Sequence, residues 1–130
     1  MNIPENSALT RIGQIAINVH DVERATAFYR DVLALPQLFL AGHLSFFDCG
    51  GVRLMLSPPA KPEFDHPASI LYFQAGDIHA AFQRLKSANV KFEGEPHLVA
   101  RVPAHELWMT FFHDTEGNLL ALMSEVPNAA

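Results

Sequence analysis

The chain has 130 residues, of which 49% are hydrophobic and 18% are charged, and its formal net charge is −5. This length and composition fit one globular domain and exclude a disordered polar chain. Lys and Arg residues form no cluster that could neutralise a phosphate backbone, so we expect no nucleic-acid binding.

Cysteine content and hydropathy indicate where the protein resides. Cys49 is the single cysteine, so no disulfide forms within the chain, and a reducing compartment fits best. The uncharged run over residues 32–47 is interrupted by Pro36 and Gly42, and it is shorter than the roughly 20 apolar residues of a membrane span. The N-terminal residues lack the apolar segment of a signal peptide. We therefore expect a soluble cytoplasmic protein without membrane contact.

The first half of the chain predicts a strand, a helix and further short strands, after a polar lead-in over residues 1–10. Residues 12–19 alternate between apolar and polar side chains, as in a half-buried strand. Asp21 has the position of a helix N-cap, and apolar residues then recur at helical spacing until Pro36 closes the helix region. Residues 38–56 are typical of short strands separated by turns.

The second half repeats this pattern after a proline-rich linker, residues 58–68. A strand is predicted over residues 70–75, Asp77 takes the N-cap position, and a helix ends near Asn89. Further strands are predicted around residues 90–92, 98–102, 107–113 and 119–124. One constant offset pairs residues of the same type: Ile15 with Leu71, Ile17 with Phe73, Asp21 with Asp77, Val22 with Ile78, and Ala25 with Ala81.

This internal repeat predicts an α+β fold of two tandem βαβββ units in a single domain over residues 1–130. Unit one spans about residues 12–57, and unit two spans about residues 69–124. Placed edge to edge, the units would form a curved mixed sheet around a cleft, with the helices outside. The alternative is an ordinary α+β domain whose halves match by chance, and the constant offset and repeated caps disfavour it.

The last hairpin suggests a family. Residues 111–123 are typical of two apolar strands joined by a turn at residues 114–118. This hairpin resembles the closing hairpin of the vicinal oxygen chelate superfamily, often written F-x-D-P-D-G-N-x-x-E, which includes glyoxalase I, extradiol dioxygenases and bleomycin-resistance proteins. Here Thr115 replaces the Pro, and Ala121 replaces a Glu that binds metal in many members. The resemblance covers residues 12–124 and implies the two-unit fold.

Metal-binding members of that superfamily place one ligand on each of four strands. The resemblance assigns those positions to Gln14, Met55, Ile70 and Ala121. Divalent ions prefer oxygen and imidazole ligands. Ile and Ala offer no donor, Met offers a soft thioether and Gln a neutral amide, so we expect no metal and no other cofactor there. A relocated site of imidazole and carboxylate groups stays open, with the candidates His97, His105, Glu106 and His113.

Strand alternation indicates which further side chains line the cleft. Besides the four positions just named, it places Asn18, Arg53, Tyr72 and Gln74 there. The resulting cleft is apolar at its centre and carries scattered amide and guanidinium groups. This composition is typical of a small-molecule pocket.

One segment of unit two is rich in groups that recognise ligands. Arg101 suits a carboxylate or phosphate, and Trp108 suits a flat apolar body. His105 and Glu106, together with Tyr72, are candidates for general acid–base catalysis. Each also has a structural alternative: a solvated strand residue for Arg101, core packing for Trp108, and an exposed loop pair for His105 and Glu106.

Three functions are compatible with these features. The first is a metal-independent protein that binds a small, partly apolar molecule, with or without an anionic group. As an enzyme, this protein would also transform the bound molecule. The second is a non-catalytic protein that sequesters a small molecule or antibiotic, as bleomycin-resistance proteins do. The ligand positions argue against the third, a metal-dependent lyase, epimerase or dioxygenase. The resemblance also implies a homodimer.

Overall fold

The computed structural model describes residues 9–127 of the chain, so most of the predicted lead-in lies outside the described residues. Unit one contains β1 (Gln14–Asn18), α1 (Val22–Ala27), β2 (Gln37–Ala41), β3 (Leu44–Cys49) and β4 (Val52–Ser57). Unit two contains β5 (Leu71–Gln74), α2 (Ile78–Ser87), β6 (His97–Arg101), β7 (His105–His113) and β8 (Leu119–Pro127). None of the helices described is long and apolar enough to span a membrane.

Each unit forms a four-stranded mixed sheet with the same connectivity. The strand order is β1-β4-β3-β2 in sheet one and β5-β8-β7-β6 in sheet two. The first and last strands of each unit run parallel, and the other neighbours run antiparallel. The predicted α+β fold of two βαβββ units is therefore confirmed. No strand pairing joins the two sheets within the described residues, which corrects the expected single curved sheet to two sheets.

Three local predictions also change. The strand predicted at residues 90–92 does not form, and Phe92 instead makes an isolated bridge to Phe112. The proline-rich linker contains a short 3-10 helix, Pro62–Phe64. In unit one, α1 passes directly into a π-helical segment, Phe28–Val32. Helical spacing in the sequence does not distinguish these wider turns from a continuing α-helix.

Both predicted N-caps are confirmed. The Asp21 carboxylate accepts a hydrogen bond of 3.0 Å from the backbone N–H of Arg24. The Asp77 carboxylate accepts bonds of 3.1 Å from the backbone N–H groups of His79 and Ala80. Each cap therefore satisfies donors that the first turn of its helix leaves free.

The helix-covered sides of both sheets meet in one hydrophobic core. Ile17 and Leu54 of sheet one, and Phe112 and Leu120 of sheet two, are at most 1% exposed and belong to the same buried cluster. The alternation read from the sequence is confirmed on this side. Because both sheets contribute to a shared core, their opposite sides form the outer surfaces of the domain.

The turn between β7 and β8 of unit two docks on the end of β1 in unit one. The Glu116 carboxylate accepts hydrogen bonds from the backbone N–H groups of His20, at 2.7 Å, and Asp21, at 3.1 Å. The side-chain amide of Asn118 donates to the carbonyl oxygen of Asn18 at 3.3 Å. This turn therefore fixes the position of β1 relative to sheet two.

Candidate functional site

The outer sides of the two sheets carry the residues that alternation assigned to the cleft. We call the outer side of sheet one face one; it carries Gln14, Asn18, Phe39, Phe46, Arg53 and Met55. We call the outer side of sheet two face two; it carries Ile70, directly before β5, and Tyr72, Gln74, Phe111, Ala121 and Met123. Each face holds two of the four positions that bind metal in other members of the family the hairpin resembles.

Arg53 contacts three neighbouring side chains on face one. Its Nε donates a hydrogen bond of 2.7 Å to Oε1 of Gln14. Its guanidinium carbon lies 5.1 Å from the ring centroid of Phe46 and 6.0 Å from that of Phe39, and these two rings stack at 4.5 Å. A guanidinium held by an amide and two aromatic rings offers a fixed cation beside a flat apolar surface.

This arrangement does not fit a divalent metal in unit one. Gln14 Oε1 would be the one hard donor of the pair Gln14 and Met55, and it already accepts a hydrogen bond from Arg53. Gln14 Nε2 lies 3.7 Å from the thioether sulfur of Met55. A metal here would meet a soft sulfur, an engaged amide and a neighbouring positive charge.

Face two does not fit a metal either. Ala121 on β8 lies between Tyr72 on β5 and Phe111 on β7. The two aromatic rings meet edge to face at 5.9 Å and leave Ala121 fully buried. Ile70, the other position, has no donor. A Glu side chain at position 121 would have to separate the aromatic pair.

The relocated metal site proposed as an alternative is not assembled. His105 and His113 occupy opposite ends of β7, and the strand separates them by about 26 Å. His113 pairs with Glu93, and His97 contacts the carbonyl oxygen of Glu95. Among the residues that the structure describes, no group of three or more His, Cys, Asp or Glu side chains is placed to hold a metal ion.

The three predicted catalytic residues are also kept apart. His105 and Glu106 are neighbours on β7, so their side chains point to opposite sides of sheet two. Tyr72 aligns with Phe111 through Ala121, about 20 Å along the strand from His105. The sequence-based acid–base trio is therefore corrected: Tyr72 lies on face two at the edge strand β5, His105 lies far along the same face, and Glu106 lies on the helix-covered side.

Arg101 and Trp108 lie on the helix-covered side of sheet two rather than on face two. Trp108 packs edge to face against His79 of α2, with ring centroids 5.4 Å apart, and borders the core. Arg101 Nε donates to Glu106 at 3.2 Å, and Trp108 Nε1 donates to the same carboxylate at 3.4 Å. The positions of Arg101 and Trp108 therefore fit a solvated strand residue and a core-packing residue better than they fit the predicted ligand binding.

Asn18 has a structural partner as well. Its side-chain amide donates to the carbonyl oxygens of Phe64 and His66 in the linker. Sequence reasoning missed three aromatic residues of the faces, Phe39, Phe46 and Phe111. The adjacent pairs Phe46-Phe47 and Phe111-Phe112 were the available signal, because adjacent strand residues must place one ring on each side of a sheet.

His20 joins the linker to the docked turn near the end of face one. Its Nε2 lies 3.0 Å from a carboxylate oxygen of Asp65, and its Nδ1 lies 3.3 Å from Glu116. The hydrogen bond with Asp65 raises the pKa of His20 above its ordinary value, and the carboxylate of Glu116 adds to this effect. Protonated His20 therefore links two carboxylates that belong to different segments.

Comparison with known proteins agrees with the fold and the last hairpin. The model of the Glyoxalase/Bleomycin resistance protein/Dioxygenase superfamily matches residues 11–122. The uncharacterized protein YetH of Bacillus subtilis strain 168 is 29% identical over 125 residues, which cover 88% of this chain and 98% of that protein.

Solved structures show the same architecture. Lactoylglutathione lyase from Agrobacterium tumefaciens has a TM-score of 0.70 at 25% identity, over 89% of this chain and 94% of its own. TnmS3, an antibiotic binding protein from Streptomyces sp. CB03234, has a TM-score of 0.72 at 22% identity, over 95% of this chain and all of its own. The chain belongs to the glyoxalase/bleomycin resistance protein/dioxygenase superfamily.

Proposed function

We propose that this protein binds a small, flat, partly apolar molecule on its outer faces without a metal ion. The observation that carries the proposal is Arg53, which lies between Gln14 and the stacked rings of Phe39 and Phe46. A bound metal would need Gln14 Oε1, which Arg53 already engages. The site is therefore suited to a ligand that brings its own negative charge.

The chemistry of Arg53 and its surroundings indicates an aromatic carboxylate as the ligand class. Its Nε is used by Gln14, while its terminal nitrogens make no hydrogen bond to the described residues. They form a planar fork that matches a carboxylate. The half-exposed ring of Phe39 gives a flat apolar contact beside this fork.

We further propose that a second copy of the chain completes the site. Face one and face two lie on the outer sides of a shared core, and each exposes apolar side chains: Phe39 is 45% exposed and Tyr72 is 44% exposed. Face one of one protomer against face two of its partner would bury these rings and enclose Arg53. An isologous homodimer forms two such sites.

Binding without turnover is the activity we favour. The predicted acid–base residues are dispersed, and Tyr72 is the titratable candidate that lies beside Ala121. TnmS3, a neighbour of the same fold, is by its name an antibiotic binding protein. Catalysis is the second candidate, because Tyr72 keeps its hydroxyl on the exposed face opposite Ala121.

A thermal-unfolding screen of the dimer tests the proposal. We expect aromatic carboxylates to raise the midpoint temperature more than aromatic amines of the same shape, with or without EDTA. Arg53→Ala should abolish this stabilisation, whereas Arg101→Ala, which removes an exposed arginine on the other side of sheet two, should retain it. Equal stabilisation by amines, or an unaffected Arg53→Ala variant, would contradict the proposal. Product formation by the stabilising ligand would favour the enzyme over the binder.

A further inference from the structure

An opening lies between the two units and is lined by residues of both. It has a volume of about 560 Å³. Unit one contributes the segment after the π-helix, with Leu35 and Pro36, and the β3–β4 turn with Cys49. Unit two contributes β5 and α2. Its floor reaches the core, since Leu85 is 2% exposed and Phe112 is fully buried.

The internal repeat explains why this opening exists. Tyr29 and Leu85 correspond at the constant offset of the repeat. In the later strands, Phe47 of β3 and Phe112 of β7 have equivalent partners on β4 and β8, so Cys49 corresponds to Asp114. Tyr29 and Asp114 fill one contact between the units with a buried hydrogen bond of 2.7 Å. Leu85 and Cys49 line the opening at the equivalent contact. Leu and Cys are shorter and form no such bond, so this half stays open.

The volume and the lining of the opening are typical of a ligand-binding site and not of a packing defect. Native interiors keep few voids larger than a water molecule, whereas small-molecule sites have volumes of about 300–1,000 Å³. Most side chains around the floor are apolar. Strand register places Cys49 on the same side of β3 as the buried Phe47, so its side chain points toward the units' interface.

Among the described residues that line the opening, Arg84 is the single cation. Its Nη1 donates a hydrogen bond of 2.9 Å to the carbonyl oxygen of Val32 in unit one. This bond fixes the guanidinium over the opening and leaves its other nitrogens for a ligand. Gln74 lines the same rim. Asp48 also lines it, but one oxygen of that carboxylate accepts the backbone N–H of Gly51 at 3.1 Å.

From these features we propose that the opening between the units is a second binding site, for a compact apolar molecule whose single carboxylate is held by Arg84. Arg53 does not line this opening, so the site is distinct from the one proposed around Arg53. Tyr72 and Gln74 belong both to face two and to the border of this opening. A ligand in the opening would therefore contact β5 at its unpaired edge, whereas a ligand on face two would contact β5 from the outer side of the sheet.

Cys49 allows a direct test, because it is the single cysteine and lines the opening. The intact protein is equilibrated with disulfide fragments at a fixed concentration of 2-mercaptoethanol, and its mass is measured. Thiol–disulfide exchange joins the fragment to the Cys49 sulfur and releases the fragment's other half as a thiol. We expect an aryl carboxylate fragment to be retained about tenfold better than cystamine, the ratio that a modest difference in binding gives.

Matched variants separate the site from simple thiol reactivity. Ala81→Phe fills the opening from α2 and should remove the tenfold preference, whereas Ala80→Phe, one exposed position along the helix, should retain it. Ala81→Met serves the same purpose if Ala81→Phe does not fold. Arg84→Met should remove the preference for the carboxylate over the neutral aryl fragment.

Arg53→Ala should leave the retention of every fragment unchanged. The result of this test therefore does not depend on whether a ligand binds at Arg53 on face one. Equal retention of aryl and cystamine fragments by the unaltered protein would overturn the inference. An unchanged preference in a folded Ala81 variant would overturn it as well.

Discussion

The hydroxyl group of Tyr29 donates a hydrogen bond of 2.7 Å to the carboxylate of Asp114, and both side chains are buried between the two units. Asp114 also accepts the backbone N–H groups of Glu116 and Asn118, at 2.8 and 2.9 Å, and so holds its own turn. Burial raises the pKa of Tyr29, with the negative charge of Asp114 adding to the effect, so the phenol stays a protonated donor.

Tyr29→Phe should therefore destabilise the protein by about 1–3 kcal/mol, because it leaves a buried carboxylate short of one donor. Urea unfolding at neutral pH measures the loss. Tyr72→Phe is the matched control: its ring is 44% exposed, and we expect a change below about 0.5 kcal/mol. Equal effects of the two substitutions would show that the Tyr29–Asp114 bond does not stabilise the contact.

His20 should make stability fall as the pH rises. Its pKa is higher in the folded state than the ordinary 6.5, so the folded protein binds this proton more tightly than the unfolded chain does. The contribution is complete below about pH 6.5 and is lost as the pH rises through the folded pKa. His113, whose pKa is raised by its hydrogen bond with Glu93, acts in the same direction.

Replacing His20 tests this dependence. Denaturation midpoints between pH 6 and 9 should fall less steeply for His20→Gln than for the unaltered protein, with the remaining slope partly due to His113. His43→Gln is the control, since His43 makes no hydrogen bond or ion pair with the described residues. The idea fails if His20→Gln and His43→Gln show the same slope.

Ala121→Glu, which restores the side chain common in metal-binding members, should be destabilising rather than activating. The carboxylate would have to separate Tyr72 from Phe111 or remain buried beneath them, at a cost of more than about 2 kcal/mol. Thermal unfolding with and without nickel or manganese measures both effects. Gln74→Glu adds a carboxylate to an exposed position of the same face and should be nearly neutral. A gain of stability with metal would contradict the description of face two.

Phe39→Asp should weaken the proposed dimer. The substitution removes a half-exposed ring from face one and places a charge where the partner would bury it. Leu40→Asp changes the next residue of β2, which is 62% exposed and points to the other side of the sheet. Sedimentation equilibrium should show a larger rise in the dissociation constant for Phe39→Asp. Similar values for both variants would argue against face one as the interface.

The sequence predicted what depends on local pattern. The repeat, the caps at Asp21 and Asp77, and the alternation that buries Ile17 and Leu54 all follow from spacing and side-chain type. Alternation also argues against His105 and Glu106 acting together on one face, because adjacent strand residues point to opposite sides of a sheet.

Other features depend on contacts between residues that are far apart in the chain, and no local sequence pattern predicts such contacts. Tyr29 and Asp114 are 85 positions apart, and their contact requires the relative position of two units. The ring pair over Ala121 depends on the register of three strands. A register shift between Leu98 and Ala100 changes which side of β6 faces the helix, and with it the pairing of Arg101.

Metal content is the most direct test of whether the chain lacks a divalent metal site. The protein is purified without chelator, its divalent metals are quantified per chain, and its thermal unfolding is compared before and after EDTA treatment. With Arg53 on Gln14 and the aromatic pair over Ala121, we predict only substoichiometric metal and an unchanged midpoint temperature. A stoichiometric divalent ion whose removal lowers the midpoint would show that the protein has a metal site.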